Sequence, residues 1–210
     1  DPALQGGADY AAANGFYLGT WASTINWIKD SGTVGHTQAK GPVELDLYGG
    51  YKFEAADVAY DVGFLRYEYV GNTLKDTMAN TSPYQYGNAN TNEAYGAATY
   101  GVATLKYSNS LSNLFGNVNS KHSTYWDLSA TFDLGAGYSL VPHVGRQTVK
   151  NNSNSYTDYA LTLNKDLGDG LSASVSAITL KSLDKTQFPS ALTQYQVAKD
   201  ALVVGVKYTF

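Results

Sequence analysis

The chain has 210 residues, no cysteine and a formal net charge of −4. Without cysteine it can form neither disulfides nor thiolate metal sites, and its mild acidity offers nucleic acid no basic face. No run of about 18 apolar residues occurs, which excludes a transmembrane helix but not transmembrane strands, whose alternating faces keep the average hydropathy low.

Residues 3–11 read as a first, weak strand, closed by a tight turn at Ala12-Ala13-Asn14-Gly15, where Asn-Gly favours the positive φ of hairpins. Residues 16–27 form a second strand with Tyr17, Trp21, Ile25 and Trp27 on one side, and 28–40 are a polar loop. In the third strand, 42–53, Val43, Leu45, Leu47, Tyr51 and Phe53 alternate with Glu44, Asp46, Tyr48, Gly50 and Lys52. Glu54-Ala55-Ala56-Asp57 is short, and 58–70 is a long aromatic strand. Its Val58, Tyr60, Val62 and Phe64 suit lipid, yet Arg66 and Glu68 continue the same face. Either those two lie above the membrane or a bulge switches the faces.

Residues 71–91 are a polar segment rich in Asn, Thr and Gly. Strands at 92–99 and 102–110 meet near Tyr100-Gly101, and 111–122 are a loop. The strand at 123–132 sets Trp126, Leu128, Ala130 and Phe132 opposite Tyr125, Asp127, Ser129 and Thr131, and it ends in a turn at Asp133–Gly137. Strands at 138–148 and 155–165 flank a modest loop at 149–154. A tight Leu167–Gly170 turn leads into a strand at 171–180, and 181–199 are a long polar loop. In the last stretch, 200–210, Leu202, Val204, Val206, Tyr208 and Phe210 alternate with Ala201, Val203, Gly205, Lys207 and Thr209. Gly205, Tyr208 and Phe210 resemble the terminal insertion signal of bacterial outer-membrane proteins, although Val203 stands where a polar residue is usual.

Connection lengths alternate along the chain. Short turns near residues 13, 55, 100, 135 and 168 take turns with longer segments near 34, 81, 116, 151 and 190. Outer-membrane barrels keep this rhythm because one rim carries short periplasmic turns and the other long external loops. No segment has sustained 3.6-residue periodicity. The expected fold is therefore all-β: one antiparallel, up-and-down transmembrane β-barrel over residues 1–210, located in the bacterial outer membrane. Eleven strands are visible, whereas single-chain bacterial barrels use even numbers. The parity points to about twelve strands with the first one missing before Asp1, or to a surplus strand and a total of ten. The start at Asp1-Pro2 reads as that of a trimmed protein.

Asp1-Pro2-Ala3-Leu4-Gln5-Gly6-Gly7 and Gly15-Phe16-Tyr17-Leu18-Gly19-Thr20-Trp21-Ala22-Ser23 resemble the proteobacterial family Gcw_chp (TorF). Glu44–Gly50, Tyr60-Asp61-Val62-Gly63, Tyr67-Glu68-Tyr69, His143-Val144-Gly145, Tyr156–Tyr159 and Lys165-Asp166-Leu167 match its later motifs in order. The resemblance implies an outer-membrane barrel with one further amino-terminal strand, no established general activity and no catalytic residues to carry over.

The alternation assigns an inward, lumen-lining face to Glu44, Asp46, Lys52, Asp61, Glu93, Lys106, Asp127, His143, Asp158 and Lys207. Carboxylates outnumber bases there. A water-filled, porin-like passive channel for small polar or cationic solutes is one reading. A self-neutralising ion-pair network filling a plugged, structural or partner-binding barrel is the other. Asp127, Ser129 and His143 could begin a hydrolytic constellation, but mid-strand and facing inward they fit a structural hydrogen bond better, and no enzyme is expected. His36 and His122 lack metal-ligand spacing; no cofactor or metal is expected. The expected partners are outer-membrane lipid, the barrel-assembly machinery and a protein contacting loops 71–91 and 181–199; nucleic acid is not among them. Tyr17, Trp21, Trp27, Tyr51, Trp126, Tyr138, Tyr159 and Tyr208 are expected at the headgroup level, and the many glycines in turns and on the inward face.

Overall fold

The computed structural model describes residues 2–31, 39–76, 86–152, 155–182 and 200–210. His36 lies outside them, as do most of loop 181–199 and the middle of loop 71–91. The alternating pattern produces twelve strand segments in a single antiparallel sheet. They are β1 (Gln5–Ala11), β2 (Phe16–Thr24), β3 (Val43–Ala55), β4 (Val58–Val70), β5 (Thr91–Tyr100), β6 (Ala103–Ser110), β7 (Thr124–Ala130), β8 (Phe132–Gly135), β9 (Tyr138–Thr148), β10 (Tyr156–Gly168), β11 (Leu171–Ser182) and β12 (Ala201–Tyr208). The helical pieces among the described residues are α1 (Trp27–Ser31) and a 3-10 turn at Leu74–Asp76.

Neighbours in the sheet are neighbours in the chain. β7 and β8 part only at Thr131 and both pair with β9, so they are two halves of one pass. The chain thus crosses the sheet eleven times, the number of strands read from the sequence. An odd number of antiparallel passes leaves β1 and β12 running in the same direction. They share no ladder among the described residues.

Turn chemistry sets the short rim. Ala56-Asp57, Ala136-Gly137 and Asp169-Gly170 have positive φ at both positions. This is the type I′ geometry, whose twist matches that of the strands it joins. Two boundaries differ from the sequence reading. β2 ends at Thr24 rather than at residue 27: Ile25 still donates its N–H to Pro42 O (2.9 Å), and the chain then turns into α1. β8 continues to Gly135, so the turn read at 133–137 shrinks to two residues.

The buried apolar residues are Ile28, Ala39, Tyr69, Leu74, Ala89, Leu114 and Val149, all in the long connections or at strand ends. Leu18, Val62, Phe64, Leu128, Leu161, Val175 and Val204, all within strands, are exposed. Two stacked sheets would bury those mid-strand positions. A sheet rolled into a barrel and bathed in hydrocarbon leaves them outside and gathers its polar side chains within.

Strand β4 pairs with both neighbours without a register shift, so no bulge switches its faces. Arg66 and Glu68 stay on the outer face and form an ion pair, joined by Asn92, which accepts from Arg66 at 3.0 Å, and by Asn90, which donates to Glu68. Tyr51, Trp126, Tyr138, Tyr159 and Tyr208 are exposed on the outer face. Tyr17, Trp21 and Trp27 are not. Tyr17 pairs with Gly50 and Trp21 with Asp46, on the inner face, and Trp27 packs edge-on against Tyr69 at 5.1 Å.

The two faces should respond differently to charge. Leu161→Arg, on the outer face, is expected to cost about 2–4 kcal/mol of folding free energy in lipid. Ala160→Ser, on the inner face of the same strand, should change it by less than about 0.5 kcal/mol. Urea titrations in phosphatidylcholine vesicles report both.

Candidate functional site

Register carries the inward positions into continuous rows across the sheet. Lys52, Asp61, Ala97, Lys106, Asp127, Gly145 and Asp158 form one row from β3 to β10. The adjacent row holds Tyr17, Gly50, Gly63, Tyr95, Ser108, Tyr125, Gln147 and Tyr156. Side chains of these rows meet across strands that are not neighbours, which only a concave face permits. Tyr17 of β2 reaches Asp61 of β4 (2.6 Å) and also bonds Tyr95 of β5. Tyr48 of β3 donates to Asp9 of β1 at 2.6 Å. Tyr125 of β7 donates to Asp158 of β10 at 3.1 Å.

Glycines make this layer possible. A side chain at Gly19 would overlap Asp9 and Tyr48, and one at Gly63 would meet Tyr95. Gly145 lies under Tyr125 and Asp158. Each of these glycines leaves room for a tyrosine to lie along the wall.

Three of the inner carboxylates are held by tyrosine hydroxyls. Asp9, Asp61 and Asp158 accept from Tyr48, Tyr17 and Tyr125. The inner lysines rest on rings: Lys52 Nζ lies 4.8 Å from the centroid of Tyr17, and Lys106 Nζ 4.2 Å from that of Tyr95. Asp46 Oδ1 is buried and has no hydrogen-bond partner among the described residues. Lys207 shares the inner face of β12 with Gly205, opposite Ser172 and Ser174.

His143 and Asp127 do come together, although not directly across the ladder. Asp127 pairs with Gly145 and His143 with Ser129, and the two side chains reach diagonally. Nε2 of His143 lies 2.7 Å from Asp127 Oδ2, and Nδ1 lies 3.5 Å from Asp158 Oδ2. With a carboxylate at each ring nitrogen, neither is left to take a proton from Ser129, which a hydrolytic nucleophile requires. Asp127, His143, Asp158 and Tyr125 form a structural knot in the wall.

The long-loop rim carries a cluster that period-2 reasoning could not find. Ile28, Ala39, Tyr69, Leu74 and Ala89 are buried together, with Trp27, Tyr67, Tyr86 and Phe115 packed against them. Burial pushes the Tyr86 phenol up. Phe115 has a positive φ of 46°, a costly conformation for a bulky residue. It is held by its N–H to Thr91 Oγ1 at 2.9 Å and by a loop tied through Ser120, whose Oγ accepts from Leu114 N at 2.8 Å. Its ring meets inward-facing Tyr67 edge-on at 5.1 Å. Below it a cavity of about 280 Å³ is lined by Tyr67, Glu93, Tyr125, Asp127 and Tyr156, among others.

The family model for Gcw_chp, a bacterial protein family of unknown function, matches residues 1–210. The chain belongs to this family. No curated protein matches it. Among solved structures it is similar to a KdgM porin, in a structure described as a complex with disordered oligogalacturonate. The TM-score is 0.62 at 11% identity, over 99% of this chain and 92% of that one. At such identity the likeness establishes the fold, a porin-like β-barrel.

Of the residues missed in the sequence, Tyr48, Tyr95 and Tyr125 had a signal. Each stands two positions from an inward carboxylate, Asp46, Glu93 and Asp127 in turn. The tyrosine–glycine fit is open to test. Gly145→Ala should displace the Tyr125 ring and cost about 1–3 kcal/mol. Adding Tyr125→Phe should return part of that loss as a coupling of about 0.5–3 kcal/mol, read from denaturant unfolding of the single and double variants.

Proposed function

We propose that residues 1–210 form a single outer-membrane β-barrel acting as a passive channel for small polar or cationic solutes. The observation that carries this reading is how the inner carboxylates are satisfied. Asp9, Asp61 and Asp158 take their hydrogen bonds from tyrosine hydroxyls. A hydroxyl stabilises a carboxylate without cancelling its charge, so the interior stays electronegative and draws in cations. A self-neutralising filling would need lysines or arginines against these groups, and the inner Lys52 and Lys106 lie on tyrosine rings instead. The same charge disfavours a polyanion such as the oligogalacturonate in the KdgM structure. Gly205, Tyr208 and Phe210 serve in this reading as the signal for the barrel-assembly machinery, and the outer apolar band meets outer-membrane lipid.

A second reading, a plugged barrel that binds a protein partner through loops 71–91 and 181–199, is favoured by one observation. Phe115 and the rim cluster pack onto Tyr67 and Tyr69, narrowing the long-loop mouth. Planar-bilayer recording separates the two. A folded preparation should carry current with a reversal potential favouring K⁺ over Cl⁻, and Asp61→Asn with Asp158→Asn should move that potential towards zero. Absence of current from folded protein would support the plug.

A further inference from the structure

The cavity below Phe115 holds a feature that general cation selectivity does not require. Glu93 is 7% exposed, lines the cavity and accepts no hydrogen bond from the described residues. A carboxylate so little exposed is costly to keep charged without an opposite charge nearby, and the Lys106 ammonium acts on it. That ammonium lies 4.2 Å from the Tyr95 centroid. Around Glu93 the walls are the rings of Tyr67, Tyr125, Tyr156 and Phe115, with Asp127 as a second carboxylate.

Aromatic faces attract cations through their quadrupole, the more so when partly desolvated. The protein already uses its interior this way, since Lys52 and Lys106 both lay their ammonium groups on tyrosine rings. A neutral sugar would also suit rings and carboxylates, but it would bring no opposite charge to Glu93. At about 280 Å³ the cavity lies just under the range of about 300–1,000 Å³ typical of small-molecule sites. We infer that this cavity is a binding site for a small organic ammonium ion, its charged head on Glu93 and its alkyl part between Phe115 and the tyrosines. This deepens the cation-channel reading by naming a solute class, while its test needs no current.

Isothermal titration of the whole barrel in nanodiscs, with butylammonium, butyrate, 1-butanol and glucose as probes, decides it. Butylammonium should bind saturably, and the other three should not. Glu93→Gln should weaken binding by about tenfold or more, in line with loss of a buried charge pair. Lys106→Met, which removes the competing ammonium, should strengthen it, so the site remains testable if the Glu93 variant does not fold. Equal binding of 1-butanol, binding of glucose alone, no saturable butylammonium binding, or no response to either substitution would overturn the site. If bilayer recordings still gave cation-selective current, that failure would leave the channel reading standing.

Discussion

Backbone amides and carbonyls have no water to bond within hydrocarbon, so each must find a partner in another strand. That constraint explains why eleven passes pair with chain neighbours in one sheet. It also explains why the ladders between β2 and β7 run without slips, since a shift of one residue would turn Leu47 inward and Asp46 into lipid. The apolar burial that stabilises a soluble domain has been moved to the long-loop rim, around Ile28 and Leu74.

Within that frame the interior chemistry follows from the tyrosines. A phenol is long enough to span from one strand to a carboxylate two or three strands away, as Tyr17 does to Asp61 and Tyr125 to Asp158. It supplies a donor without a charge. Bonds of this kind tie the strands together and leave the carboxylates charged, whereas arginines in these places would neutralise them.

The period of two carried a large part of this structure. Strand count, the long–short rhythm of connections and the sharing of one sheet face by Glu44, Asp46 and Lys52 were all legible, because a barrel strand has only two environments. Trp21 and Trp27 show where such reading stops. Trp21 lies on the inner face opposite Asp46, where ring identity alone suggested a headgroup position. Trp27 continues the apolar alternation of β2, yet the chain has already turned into a helix of five residues, too short to leave a 3.6-residue signature. The break at Thr131, the cross-strand reach of the tyrosines and the packing of Phe115 depend on neighbours distant in the chain, which no local pattern encodes. Arg66 and Glu68 raised the choice of a bulge, and the unshifted ladders of β4 with β3 and β5 exclude it.

The seating of tyrosines on glycines has an evolutionary consequence. Where a homologue replaces Gly145 or Gly63, the ring above it loses its berth, so Tyr125 or Tyr95 must shrink in the same lineage. Paired drift of this kind would link positions on separate strands, so that bore width would be written in which residue pairs change together.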